Sequence, residues 1–190
     1  MDVLSVLPGI TAVPAALIDP EKFAAFVRRN RDHLSAYLPA VAALHTADAA
    51  RDHFASVAEP IARRELWEWH LVANEELCGA VRLNRVEHEN RKVSLAYYLG
   101  AAFQGRGIAT AAARAVVAYA FDALGMNRIE LRCVVENVAS VRVAERIGFT
   151  REGELREAEF LDDRYHNHFV YGRLRSEYAS AGPTPPPRTP

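Results

Sequence analysis

Gln104-Gly105-Arg106-Gly107 sets two glycines beside a guanidinium, a combination of residue types suited to holding an anion. Glycine takes positive φ without steric cost and lets an oxygen-rich ligand approach the backbone. If a helix begins at this point, the N–H groups of its first turn face outward with the helix dipole behind them, and Arg106 adds a fixed positive charge. The ligand such a turn suits is a phosphate or diphosphate, and three kinds compete: a dinucleotide, a nucleoside triphosphate, or another pyrophosphate. A dinucleotide fingerprint wants a third glycine where Thr110 stands, and the P-loop lysine followed by Ser or Thr is absent. What remains is Gln-x-x-Gly-x-Gly/Ala, here Gln104, Gly107 and Ala109, and a plain strand-to-helix turn fits those residues equally well.

Other reactive side chains are sparser. His166 and His168, two apart on one extended run, share a face but have no third ligand at suitable spacing, so no metal is predicted. Trp67 and Trp69 also share a face and could line an acceptor groove, though core packing is the commoner use of such a pair. His33, His45, His53, His70 and His88 are scattered and receive no role. Cys78 and Cys133 fall inside extended runs and read as small buried apolar residues of a reducing compartment.

The elements that must position the turn follow from hydrophobic period. Val93 to Leu99 is apolar and aromatic, a buried strand, and from Gly107 onward Ile108, Ala111, Ala112, Ala115, Val116 and Tyr119 mark one helix face up to a glycine cap at Gly125. Ahead of them come a short edge strand at Ile10 to Ala15 and a helix capped by Asp19-Pro20-Glu21 that ends near Asn30. A short piece from His33 to Leu38 is closed by Pro39, and a longer helix starts at Thr46, burying Phe54, Val57 and Ile61, with Pro60 predicted to kink or end it. Leu66 to Ala73, Leu77 to Val86 and Val93 to Leu99 form an antiparallel meander. Beyond the glycine turn, Arg128 to Val134 alternates as a strand beside the one ending at Leu99, Asn137 to Ser140 opens a helix closed by Gly148, and Phe149 to Phe160 with Tyr165 to Arg173 makes a last hairpin. This order is an α+β mixed sheet in one domain, residues 1–178, followed by a proline-rich, disordered tail at 179–190.

Composition narrows the class. At 190 residues, 50% hydrophobic and 25% charged, the chain suits one soluble domain. Its 23 basic and 24 acidic residues leave a net charge of −1, which gives no electrostatic case for nucleic acid or a membrane surface. The apolar start, Met1 to Ile18, lacks a basic leader, carries Asp2 and is broken by Pro8, Gly9 and Pro14. With no window of transmembrane length, a cytoplasmic protein is expected.

The order of elements, Gln104-x-x-Gly-x-Ala, Asn137-x-x-Ser140 and Gly148-Phe149 together resemble the GNAT acetyltransferases over nearly the whole chain. Within them, Asn30-Arg31-Asp32-His33-Leu34, Tyr37-Leu38-Pro39 and Glu152-Gly153-x-Leu155-Arg156-Glu157-Ala158-Glu159-Phe160, running on to Tyr165-His166 and Tyr171, resemble the RimJ/RimL-type ribosomal-protein N-terminal acetyltransferases. The resemblance implies a GNAT fold: a mostly antiparallel central sheet with helices on both faces, splayed between its two central parallel strands.

It also implies acetyl-CoA as co-substrate, with Tyr98, Leu99, Gln104, Gly105, Arg106, Gly107, Ile108, Ala109 and Asn137 binding it and a backbone N–H near Leu99 polarising the thioester. Glu159 is the implied general base. Ser140 is the implied acid, because Ala144 stands where many members of the superfamily place a tyrosine. The implied acceptor is a protein N-terminus; a small amine such as an antibiotic or polyamine, and a CoA-binding module without catalysis, are the alternatives. Neither a metal nor a nucleic-acid or membrane partner is implied, and oligomeric state is left open, a homodimer included.

Overall fold

The computed structural model describes residues 1–180. One eight-stranded sheet runs through the molecule: β1 (Leu4–Leu7), β2 (Ile10–Pro14), β3 (Trp67–Ala73), β4 (Glu76–Glu87), β5 (Lys92–Leu99), β6 (Arg128–Val134), β7 (Thr150–Leu161) and β8 (Arg164–Leu174), in the spatial order β1-β2-β3-β4-β5-β6-β8-β7. All neighbours are antiparallel except β5 and β6. That parallel pair holds only from Lys92–Arg128 to Leu95–Leu131, so residues 96–99 and 132–134 diverge and leave a gap in mid-sheet.

Helices cover both faces. On one side lie α1 (Pro20–Arg29), α2 (Arg31–Ser35), α3 (Pro39–Ala42) and α4 (Ala47–Ala62); on the other lie α5 (Ile108–Asp122), α6 (Val138–Arg146) and α7 (Arg175–Ser180). Alternation along the strands sorts the side chains. Trp69, Leu71, Val81, Leu83, Val93, Leu95, Ile129 and Leu131 join α5 and α6 in the larger core. Phe23, Phe26, Val27 and Leu77 form a smaller one beneath α1, where each enclosed phenylalanine contributes about 2–3 kcal/mol.

The N-caps behave as their residue types dictate: Asp19 accepts from the Glu21 amide, Thr46 from Ala49 and Asn137 from Ser140. Several boundaries differ from the sequence reading. The strand at Ile10 is not an edge, because Leu4–Leu7 pairs outside it. Pro39 opens a helical turn where it was expected to close one, which suits a residue whose missing N–H is unneeded at a first helical position. Pro60 sits in the last turn of α4, which runs on to Ala62, and Phe54, Val57 and Ile61 are half-buried.

β7 is the outer strand and is exposed along most of its length. Its register shifts between Arg151 and Gly153 and again between Leu155 and Glu159, with Glu157 at φ 50°. α7 was not foreseen: Tyr178 stacks on Phe121 and donates to Asp122, fastening it to α5. The proline-rich tail expected from 179 lies, from residue 181 on, outside the described residues.

Candidate active site

The glycine turn stands at the open end of the gap. Gly105 and Gly107 have φ of +73° and +75°, and Gly107 caps α5 in the left-handed conformation with no side chain bonded to the helix start. A Cβ at either glycine would meet nothing within 4 Å, so conformation, not crowding, requires them. The Gln104 amide donates to Ala101 O. Among the described residues, the amides of 105–110 donate to no protein acceptor, so the unpaired row begins one residue later than the sequence reading set it. A row of unpaired N–H groups at the start of a 15-residue helix can receive an anion. Arg106 lies over the Phe103 ring, 5.7 Å from its centroid.

Tyr97 and Tyr98, consecutive on β5, point to opposite faces. The Tyr98 ring stacks on Phe26 of α1, so it faces away from the glycine turn's helix. The Gly100 amide bonds Cys78 O; by the alternation of an antiparallel ladder the Tyr98 amide turns toward β4, and the Tyr97 and Leu99 amides turn into the gap. The Leu99 N–H is therefore turned into the gap.

Tyr97 lies on the α6 side. Its hydroxyl is 2.9 Å from Ser140 Oγ and also donates to Ser140 O at 3.3 Å. Burial pushes the phenol well above its ordinary value, more than the bond to Ser140 lowers it, so it stays protonated at neutral pH. Asn137 Oδ1 accepts from the Ser140 amide, 3.1 Å, so only the Nδ2 end of that side chain is left for a ligand. Ala144, where a tyrosine acid would stand in many relatives of this fold, is fully buried. Tyr97 was missing from the sequence reading; nothing local distinguishes it from Tyr98, and only strand parity, once the register is known, sends it to Ser140.

Glu159 lies across the sheet. Its Oε2 accepts from His168 Nε2 at 2.9 Å, and its side chain is 40% exposed. Neither Arg156 nor Arg164, the arginines nearest in sequence, pairs with it. His168 pairs in register with Val134 and Leu155 and shares their face, the one Tyr98 occupies. His166 is buried, with Nε2 at 3.3 Å from Leu161 O and Nδ1 at 3.6 Å from Glu136. The two histidines serve separate carboxylates, and among the described residues no group of three or more such side chains is arranged to hold a metal ion. Trp67 and Trp69 are buried in the core beneath α5, not in a groove.

Two further residues tie the helices to the turn. Asn30 donates to Phe26 O and accepts from the Ala101 amide at 3.0 Å. A Cβ on Gly100 would come within 2.9 Å of both Asn30 Oδ1 and the Phe26 ring, so this junction needs glycine. His33 Nε2 lies 3.2 Å from Leu99 O and 3.2 Å from Gln104 Nε2, at the mouth of the gap. His33 received no role from sequence because its partners are 66 and 71 residues away.

Beneath α1 and α4, Glu68 is buried to 4% exposure. His53 and His70 both lie 3.0 Å from its Oε1, and Arg82 lies 3.6 Å from Oε2. Burial alone would raise this carboxyl; bonds from His53 and His70 outweigh it and hold the group well below the usual carboxylate range.

Residues 14–150 match the acetyltransferase (GNAT) domain family. The chain is 31% identical over 165 residues to the putative ribosomal N-acetyltransferase YdaF of Bacillus subtilis strain 168, covering 84% of this chain and 88% of that one. It is 36% identical over 100 residues to the ribosomal-protein-serine acetyltransferase of Escherichia coli K12, covering 53% and 56%. Spermidine N(1)-acetyltransferase of the same bacterium is 28% identical over 110 residues, covering 58% and 59%. Among solved structures, the ribosomal L7/L12 alpha-N-protein acetyltransferase RimL in complex with coenzyme A superposes with a TM-score of 0.85 over 93% of this chain and 99% of that one, at 23% identity, a likeness of fold.

Proposed function

Given that the chain belongs to the GNAT acetyltransferase family and is an acyltransferase using acetyl-CoA, we propose that its acceptor is the α-amine of a protein N-terminus. The observation that carries the reading is the division of polar groups across the gap: Glu159 with His168 on one face, Ser140 with Tyr97 on the other, and the Leu99 amide turned between them. An amine attacking a thioester needs a proton acceptor on its own side and a proton donor on the thiol's side, and that is how these residues are distributed.

In this reading the amides of 105–110, with Arg106, hold the diphosphate of acetyl-CoA. The coenzyme supplies the acetyl thioester, and the pantetheine arm runs along the unpaired edges of β5 and β6 beside Asn137. The Leu99 N–H donates to the thioester oxygen. An α-amine with pKa about 8 is mostly protonated at neutral pH, and the Glu159 carboxylate, oriented by His168, takes its proton. Ser140 donates to the departing thiolate and is itself backed by the buried Tyr97 hydroxyl.

The relatives that act on ribosomal proteins, and the chain's matching residues around Glu159, support a protein acceptor; the spermidine acetyltransferases support a second reading, a polyamine. Thiol release from acetyl-CoA, followed with a Ser-initiated peptide, the same peptide with a blocked N-terminus, spermidine and an aminoglycoside, separates them. Turnover of the free-amine peptide alone is the expected result. Turnover of spermidine alone overturns the protein reading, and tight CoA binding without turnover of any amine overturns catalysis.

A further inference from the structure

The face of the sheet that carries Glu159 and His168 has two arginines set into it. Arg82 on β4 and Ala96 on β5 are register partners, and Leu95 on β5 pairs with Leu131 on β6, so Arg132 flanks Ala96 from the other side, one step past the last paired residues. Alternation puts all three on the face opposite α5, in the row next to Tyr98, Val134 and His168. The arginine backbones flank Ala96 from either side, more than about 10 Å apart because the sheet begins to splay here, with this small, half-exposed alanine as the floor between them.

Each guanidinium is held by a buried carboxylate on the same face, one across the ladder and one along the strand. Arg82, 40% exposed, pairs at 3.6 Å with Glu68, which is 4% exposed and fixed by His53 and His70. Arg132, 38% exposed, pairs at 2.8 Å through Nε and NH2 with Glu130, which is 8% exposed and also lies 3.5 Å from Arg128. Arg82 donates no hydrogen bond to the described residues, and the NH1 end of Arg132 makes none either. Buried anchors with half-exposed heads leave donors free on one face of the sheet, and the guanidinium fork is suited to reading a carboxylate.

We propose that Arg82 and Arg132 form an anion subsite in the acceptor groove that reads an acidic side chain a few residues beyond the amine being acetylated. This rests on the reading above that the amine approaches Glu159, and it narrows the acceptor to acidic chain ends while disfavouring polycations.

The test uses the full chain with saturating acetyl-CoA and three Ser-initiated peptides differing only at positions 2–4: acidic, alanine or lysine. The acidic peptide is expected to have a KM about tenfold below that of the alanine peptide, and the lysine peptide a higher one. In Arg132→Gln, and in Arg82→Lys, which keeps the charge beside Glu68 but loses the fork, the ratio of acidic to alanine peptide falls toward one. Thermal melting accompanies each variant. No preference in the wild type, or equal losses on acidic and alanine peptides in folded variants, overturns the subsite. If no peptide is acetylated, the N-terminal reading fails on its own, and small amines then test the subsite: an amine bearing a carboxylate should outcompete spermidine, and the reverse order overturns it.

Discussion

The two sides of the gap between β5 and β6 are built by different means. On the α5 side the groups are local: Gly105, Gly107 and the amides that follow lie within one turn, and Asn137 and Ser140 lie within another. On the opposite side most pairings are long-range or cross strands: Glu159 with His168, Glu68 with His53 and Arg82, and Asn30 with Ala101. The glycine turn on the first side is a backbone device, and the Tyr97–Ser140 hydroxyl pair is the long-range side-chain contact beside it. The second is a side-chain device that exists only once the sheet has closed. In the proposed reading the donor's diphosphate is the same whatever amine is acetylated, whereas the matched relatives are named for different acceptors, so the adaptable construction falls on the face proposed to discriminate.

This contrast can be broken experimentally. The largest effect belongs to the acceptor side: Glu159→Gln should lower kcat about a thousandfold with the KM for acetyl-CoA nearly unchanged, and His168→Gln should lower it less, about tenfold. A rise in the acetyl-CoA KM in either would erase the division.

Next comes stability. Glu68→Gln should cost about 3 kcal/mol at neutral pH by melting, because it replaces a buried carboxylate on which three cationic or donor groups converge. The sign of the pH dependence follows from the depressed carboxyl: its contribution is complete above the ordinary carboxylate value of about 4.3 and is lost as pH falls below it. The wild type should therefore lose melting temperature steeply below about pH 4, and the variant less so.

Gly107→Val should raise the acetyl-CoA KM about a hundredfold while leaving the acceptor KM within a fewfold, since a branched residue at φ +75° forces the turn to rearrange. Equal effects on both constants would contradict the backbone device. The smallest effect is on the hydroxyl pair: Tyr97→Phe should lower kcat about tenfold, and adding Ser140→Ala should cost little more, as expected of two groups acting in series.

Sequence reading follows the same divide. Strand and helix periods located the elements from β3 to β8, the caps at Asp19, Thr46 and Asn137, and the glycine turn, because each is decided within a few residues. Ser140 and Glu159 were assigned roles through family resemblance, and the side chains they contact, Tyr97 and His168, were not. Which face a side chain takes depends on register, and the bulge between Leu155 and Glu159 shifts that register within a single strand. Trp67 and Trp69 show the converse: a shared face could be read, but not that α5 lies on it. The histidines dismissed as scattered proved the most informative, with His33, His53 and His70 each bonded at the helix-to-sheet junction.

The outer strand β7 bears on how the molecule behaves in concentrated solution. A twelve-residue edge with open hydrogen-bonding groups is ordinarily an invitation to sheet-to-sheet polymerisation. Here two register breaks and the left-handed Glu157 interrupt the ladder, and Glu152, Glu154, Glu157, Arg151 and Arg156 crowd it with charge, so an incoming strand finds no straight run to zip onto. The same irregularity that sets Glu159 against His168 thus also protects the protein against fibre growth.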